Sequence, residues 1–227
     1  MAVHVEVSQP LLVVAPWVAA LAWLPIGAAA GVGVRWLSVR LARWERLEPM
    51  ARPWQVYGPV AACGVLFAAF GAAYGLSPLL LIRSLWVAVL VHVIFFDLEH
   101  RLILDRVLLP SAAAALLLSV VTPHLGWLQA VLTGVGTGLV FLGIAVVGSF
   151  VLKAEAMGLG DVKFSALMGL MLGFPAILTA VLTGVILAGV VAVALVVLRV
   201  RSMKDSIAYG PFLAMGALLA LYRLSGS

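Results

Sequence analysis

The chain has 227 residues, of which 65% are hydrophobic and only 10% are charged. Soluble domains carry about 25% charged residues, so this composition excludes a single soluble domain. The net charge of +5 would suit nucleic acid in a soluble protein, but here the basic residues fall in short loops between apolar runs. Composition therefore predicts an all-α, polytopic membrane helical bundle that has the lipid bilayer, and no nucleic acid, as a partner.

Eight apolar runs follow one another along the chain. They cover about 11–34, 56–75, 78–96, 107–121, 129–152, 163–174, 176–198 and 207–223. The fourth and sixth are short for about 30 Å of hydrocarbon. The N-terminus lacks the basic region of a signal peptide, so we expect the first run to stay in the mature protein. We interpret residues 1–227 as a single membrane-embedded domain with about eight transmembrane spans.

The longest polar piece is RWLSVRLARWERLEPMARPW, at 35–54. Its pattern predicts an interfacial amphipathic helix ended by Pro49 and Pro53, within a short basic segment at about 35–55. Of the Lys and Arg residues, all but Arg83 and Arg223 lie in, or at the edge of, the loops after odd-numbered spans. The positive-inside rule makes those loops cytoplasmic and puts both termini outside.

Two aspartates lie where apolar runs meet these cytoplasmic loops. Asp97 ends the third run in HVIFFDLEHRLILD, and Asp161 follows a Gly-Leu-Gly step in AEAMGLGDVKFSALMG. Ionised carboxylates are costly near hydrocarbon, so each needs a reason to be there. The predicted topology puts both at similar depth on one side, where two returning spans can bring them together. The plain alternative is that both are ordinary loop carboxylates beside Arg101 and Lys163.

A close pair of carboxylates suits acid–base chemistry, because one keeps its proton while the other loses it. Such a pair can activate water for attack on a peptide carbonyl. No Ser-His pair, Cys-His pair or HExxH motif competes for this role, and Cys63, the single cysteine, lies within an apolar run. For His92, about one turn before Asp97, both simple packing and an influence on the site stay open. No metal-ligand spacing is present, so we expect neither a metal nor a cofactor.

The glycines at 158 and 160 remove side chains just before Asp161 and permit positive φ. We expect the segment 156–162 to be a mobile, partly extended loop at the cytoplasmic membrane edge. There Gly158 and Gly160 would let a substrate backbone approach Asp161. The alternative is a plain turn between two spans, in which glycine is only convenient.

These stretches carry a resemblance to a known family, the type IV prepilin peptidases. GLGDVKFSALMGLMLG resembles their GxGD motif, and DLEHRLILDRVLLP is similar to their first aspartate region. The stretch IAYGPFLAMGALLAL, at 207–221, resembles their Pro-Phe-Gly-Pro-Phe region, where Gly210, Pro211 and Phe212 match. GVGVRWLSVRLARW is faintly similar to their N-terminal Gly-Ser-x-Leu-Asn-Val-x-x-x-Arg segment. The motifs span most of the chain in the family's order.

The resemblance implies a membrane aspartic endopeptidase with Asp97 and Asp161 as its catalytic pair. It would remove the short basic leader, which precedes a hydrophobic helix, from prepilin-like precursors (pilins and pseudopilins) on the cytoplasmic side of the inner (plasma) membrane. Gly158 and Gly160 would shape the substrate-binding loop. A basic leader would suit three nearby acidic residues: Glu99, Asp105 and Glu155. These can equally be solvated partners of the neighbouring cations Arg101, Arg106 and Lys153.

The sequence departs from the family in three places. Leu104 precedes Asp105 where many members have proline, and Tyr209 stands where phenylalanine is usual. Bifunctional members carry a four-cysteine cytoplasmic domain between the first two spans, whereas this chain has about twenty residues there and no cysteine among them. N-methyltransferase activity and the oligomeric state therefore stay undecided by the sequence.

Two other classes of function stay open. One is a proton-coupled transporter or channel, since acids within membranes also mark proton paths. Against it, no internal repeat is visible, and both aspartates lie at one membrane edge rather than at the midplane. The other is a non-catalytic assembly factor for secretion or pili, although both aspartates are intact.

Overall fold

The structure is a computed structural model that describes residues 14–49, 51–123, 125–152, 157–198 and 208–224. This part of the chain forms eight helices in chain order. They are α1 Pro16–Trp44, α2 Pro53–Tyr74, α3 Pro78–His100, α4 Asp105–Ser119, α5 Trp127–Leu152, α6 Leu159–Leu172, α7 Ala176–Val197 and α8 Gly210–Arg223. Each corresponds to one apolar run of the sequence, which confirms the predicted all-helical fold class.

Proline and glycine mark many of the helix boundaries. Pro16, Pro53 and Pro78 are the first residues of their helices, where a missing N–H group costs nothing. The Ser77 hydroxyl caps α3 by accepting a hydrogen bond from the Leu80 N–H at 3.3 Å. Gly173 follows α6 with φ of 66°, a conformation that suits glycine. These residues thus mark where one helix ends or the next begins.

Five of the helices, α1, α2, α3, α5 and α7, are long and apolar enough to cross a membrane. The others, α4, α6 and α8, have 14 or 15 residues and measure only about 21–23 Å. The protein is thus a multi-pass membrane helical bundle, as predicted. The two runs judged short from the sequence form α4 and α6.

The prediction of a separate interfacial helix at 35–54, ended by Pro49 and Pro53, is wrong. Residues 35–44 continue α1 without a break, and α1 reaches 29 residues. The chain then turns through Glu45 and Arg46, and Arg46 has φ of 57°. Pro53 begins α2 rather than ending an earlier helix, because a proline at the first helical position has no N–H group to lose.

Helix α3 forms the centre of the bundle. In its most apolar stretch 67% of residues are buried, against 22–33% in the other four long helices. It packs against α1, α2, α4 and α8, while α5 pairs with α6 and α7 pairs with α8. The largest side chains of the core, including Phe96, Phe164, Met168 and Leu213, are almost completely buried. The end of α3 that carries Asp97 is therefore held on several sides.

Candidate active site

Asp97 lies one turn before the end of α3, with only 5% of its surface exposed. The helix ends after His100 because Arg101 adopts a left-handed conformation, with φ of 53° and ψ of 41°. The Arg101 N–H donates to the Asp97 backbone carbonyl at 2.8 Å and closes the last turn. Asp97 therefore projects from a rigid helix rather than from the loop that follows the third apolar run.

Asp161 lies in the first turn of α6, which begins at Leu159. Gly158 is the N-cap residue, and its carbonyl accepts a hydrogen bond from the Asp161 N–H at 3.1 Å. A carboxylate in this position is favoured by the positive end of the helix dipole. Burial acts in the opposite direction and raises the pKa of Asp161 to about 6. At neutral pH the carboxyl group is thus close to its titration range.

The two carboxylates, predicted to meet across the bundle, line one cavity of about 420 Å³. They are close enough to interact electrostatically. The cavity is lined by Asp97 and Arg101 at the end of α3, Leu102 and Ile103 after it, Gly158, Leu159, Gly160 and Asp161 at the start of α6, and Ala208 and Tyr209 before α8. Its walls thus come from three separate stretches of the chain.

Gly210, the first residue of α8, contacts Asp97 directly. Its backbone N–H donates a hydrogen bond to the Asp97 carboxylate. A Cβ atom added to Gly210 would lie 2.7 Å from Asp97 Oδ2, a distance that real Cβ contacts do not show. Each carboxylate of the pair therefore lies at the N-terminal end of a short helix, Asp97 at α8 and Asp161 at α6, where helix dipoles favour negative charge.

The expected extended loop at 156–162 is wrong for its second half, because Leu159, Gly160 and Asp161 are helical. Neither glycine needs a left-handed conformation, since Gly158 has φ of −69° and ψ of 145° and only Gly75, Gly126 and Gly173 have positive φ among the described glycines. The reason for a glycine at position 160 is close packing. A Cβ atom there would lie 3.3 Å from Ile103 Cβ.

The acidic residues that were expected to suit a basic leader differ in their surroundings. Glu99 is buried, and its Oε2 accepts a hydrogen bond from Arg35 Nη1 of α1 at 2.8 Å. Asp105 is exposed and pairs with Lys163, with Nζ to the two carboxylate oxygens at 2.9 Å and 2.7 Å. Neither residue lines the cavity of the aspartate pair. Glu155 lies outside the described residues.

His92 is packed inside the bundle. Its Nδ1 lies 3.1 Å from Ser38 Oγ of α1, and its ring stacks on Phe96. It does not line the cavity, so the packing interpretation describes its position. Within the five described ranges, no group of three or more His, Cys, Asp and Glu side chains is placed to hold a metal ion.

Sequence reasoning missed three contributors to this site. Ile103 packs closely against Gly160 at the start of α6. The Gly210 N–H donates a hydrogen bond to Asp97, and Arg35 forms an ion pair with the nearby Glu99. Gly210 was singled out by motif similarity, which gave no hint of its hydrogen bond. Arg35 lies 64 residues from Glu99, so no local pattern links the two.

Comparison with known proteins supports the resemblance that these motifs suggested. A sequence model of the type IV leader peptidase family matches residues 84–193, a range that contains both aspartates of the cavity. This part of the chain is therefore similar to the type IV leader peptidase family. The predicted resemblance to prepilin peptidases is thereby confirmed.

Curated relatives carry corresponding names. The chain is 30% identical over 164 residues to a prepilin leader peptidase/N-methyltransferase of Bacillus subtilis, covering 71% of this chain and 62% of that protein. It is 28% identical over 133 residues to proteins of the same name from Aeromonas salmonicida and Aeromonas hydrophila, covering 59% of this chain and 46% of theirs. The chain thus spans about half to under two-thirds of the relatives it matches. No solved structure matches significantly.

Proposed function

We propose that the protein is a membrane aspartic endopeptidase that cleaves the short basic leader from prepilin-like precursors. The observation that carries the proposal is the cavity in which Asp97 and Asp161 lie together at the end of a membrane bundle. The similarity of residues 84–193 to the type IV leader peptidase family supports a prepilin-like substrate. The positive-inside pattern supports a cavity that faces the cytoplasm, and we propose the inner (plasma) membrane as its location.

In the proposed mechanism the two carboxyl groups share one proton. The ionised group takes a proton from a water molecule, whose oxygen attacks the scissile carbonyl carbon, while the protonated group donates its proton to the carbonyl oxygen. The tetrahedral intermediate then collapses as the C–N bond breaks. The first carboxyl group returns its proton to the leaving amine, and the second recovers its proton from the hydroxyl group that becomes the carbonyl again.

The surroundings of the pair favour one shared proton. Burial opposes ionisation of both groups at once, whereas the Gly210 N–H at Asp97 and the helix start at Asp161 support a single negative charge. The Arg101 side chain lies near enough to Asp97 to interact with it electrostatically. The site therefore has the elements of an acid–base pair without a protein nucleophile.

The remaining acidic residues have subsidiary roles in this proposal. Glu99 and Asp105 lie beyond the cavity, with Asp105 close enough to meet the leader at the protein surface. Gly158 and Gly160 form the cavity wall beside Asp161. We propose a single membrane-embedded peptidase unit.

The test is co-expression with a prepilin-like substrate, followed by mass measurement of the product. Asp97→Asn and Asp161→Asn keep side-chain size and remove the titrating group, so each should lower cleavage by at least about 10²-fold. The control is Glu48→Gln, an exposed acid after α1, which should cleave at the wild-type rate. Substantial cleavage by either asparagine variant, in folded protein, would overturn the aspartic mechanism.

A further inference from the structure

A second, apolar cavity of about 450 Å³ opens beside the aspartate pair. One wall is a face of α5 that includes Leu142, Val146, Ser149 and Phe150. The other wall is the start of α6, with Gly158 and Leu159. Val146 and Phe150 are 48% and 79% exposed, so this apolar groove is open along its length rather than closed within the bundle.

The apolar groove adjoins the aspartate cavity. Gly158 and Leu159 line both, so the two spaces meet within one helical turn of Asp161. Gly158 adds no side chain to this shared wall. A chain segment lying in the apolar groove would therefore continue directly toward the carboxylates.

A third cavity, of about 360 Å³, adjoins the aspartate cavity, shares no lining residue with the apolar groove and is charged. Leu102, Ile103 and Gly160 line both it and the aspartate cavity. Its walls also carry two exposed ion pairs, Asp105 with Lys163 and Glu45 with Arg106. Exposed ion pairs contribute little to stability, so a basic ligand can replace the Lys or Arg partner at little cost.

The three cavities thus follow one another in a fixed order: apolar, aspartate pair, charged. From this order, and resting on the proposed function, we infer how the substrate lies. The geometry points to the apolar groove between α5 and α6 as the site for the hydrophobic helix that follows the scissile bond. The basic leader then lies on the side of Glu45 and Asp105.

The dimensions of the groove agree with a helical occupant. Leu142 and Phe150 are eight residues apart on α5, so the groove spans roughly 12 Å, or about eight residues of a parallel helix. Ala145, Ser149 and Gly158 along it are small, which permits close approach of another helix within a membrane. A lipid acyl chain is the competing occupant. If a lipid filled the groove, the effect of blocking it would not depend on whether the substrate carries its hydrophobic helix.

Two adjacent valines of α5 provide a matched test. Val146 lines the groove, whereas Val147 is 62% exposed and does not line it. With a precursor carrying its hydrophobic helix, Val146→Trp should lower kcat/KM by about tenfold or more, and Val147→Trp by less than about twofold. With a peptide of leader and scissile bond only, Val146→Trp should cleave as well as Val147→Trp. Equal effects of the two tryptophans on the full precursor would overturn the inference.

Cross-linking fixes the direction of the substrate. In an Asp161→Asn background, with Cys63 replaced by alanine, a cysteine at position 146 is paired with single cysteines in the precursor. We expect a cross-link to the hydrophobic helix and none to the leader; a leader cross-link, or none at all, would overturn the inference. Failure of the proposed function looks different, because the wild-type protein would then leave every precursor uncleaved.

Discussion

The N–H of Gly210 donates a hydrogen bond to the Asp97 carboxylate, and there is no room for a methyl group between them. Gly210→Ala would place Cβ 2.7 Å from Asp97 Oδ2 and must displace the carboxylate or the start of α8. Since acid–base catalysis depends on position, we expect cleavage to fall by about 10²-fold. The measurement is cleavage rate per folded enzyme. Gly136→Ala on α5, where a Cβ atom meets nothing within 4 Å, is the control.

The ion pair between Arg35 and Glu99 predicts a structural effect. Only 14% of the Arg35 side chain and 3% of the Glu99 side chain are exposed, so Glu99→Gln removes a charge–charge contact from a largely buried guanidinium. Each kcal/mol lost lowers Tm by roughly 2–4 °C in a chain of this size, and we expect a shift of at least that order. Lys163→Gln, in a pair about half exposed, should shift Tm by less.

The same variants separate two roles for Glu99. If Glu99 bound the basic leader, Glu99→Gln would raise KM for basic leaders and leave Tm unchanged. The structural role predicts the reverse. The double variant Arg35→Gln/Glu99→Gln should recover part of the lost stability, because it leaves no unpaired charge. Its Tm is compared with those of both single variants.

Burial of Asp161 predicts a stability effect with a defined pH dependence. The folded-state pKa of about 6 exceeds the ordinary value of 3.8, so the folded protein binds more protons between these pH values. Stability present below pH 3.8 is therefore lost as the pH rises through about 6. Asp161→Asn, which carries no charge, should raise Tm at pH 7.5 and lose this advantage at pH 4. An asparagine variant with the same Tm gain at both pH values would contradict it.

Gly160 and Gly158 should respond differently to larger side chains. At Gly160 even Cβ lies 3.3 Å from Ile103 Cβ, so Gly160→Val should push the start of α6 away and lower cleavage strongly. At Gly158 a Cβ atom would lie 3.7 Å from Asp161 Oδ2, which is an ordinary contact, and the backbone conformation suits any residue. Gly158→Ala should keep most of the activity. Similar specific activities for the two variants would argue against a packing role for Gly160.

The helices could be predicted because their causes are local. Apolar runs located the eight described helices, and the predicted ends of all but α1 lie within about four residues of the observed ones. The end of α1 could not be predicted in this way. RWLSVRLARW has an amphipathic pattern that suits an interfacial helix, but packing against α3 through the Arg35–Glu99 and Ser38–His92 contacts holds it as a continuation of α1.

The two aspartates of the candidate site could be predicted from the sequence, but the residues that surround them could not. The juxtaposition of Asp97 and Asp161 follows from topology, because both lie where spans return to one side. The partner of Glu99 and the donor to Asp97 come from α1 and α8, far away in sequence. The glycine at 160 was interpreted through backbone freedom, whereas the structure shows that it is packed closely against Ile103. Contacts between distant segments set these details.

The length of α1 affects where the aspartate pair lies relative to the bilayer. Its 29 residues measure about 43 Å, well beyond about 30 Å of hydrocarbon. Its last turns carry exposed Trp36 and Trp44, with the Arg40 guanidinium 5.2 Å and 5.8 Å from their ring centres. Such residues anchor a helix at the level of the lipid headgroups. The Arg35–Glu99 ion pair joins this stretch to α3. A change in lipid acyl-chain length should therefore shift the depth of Asp97 in the membrane without any change in the two carboxylates themselves.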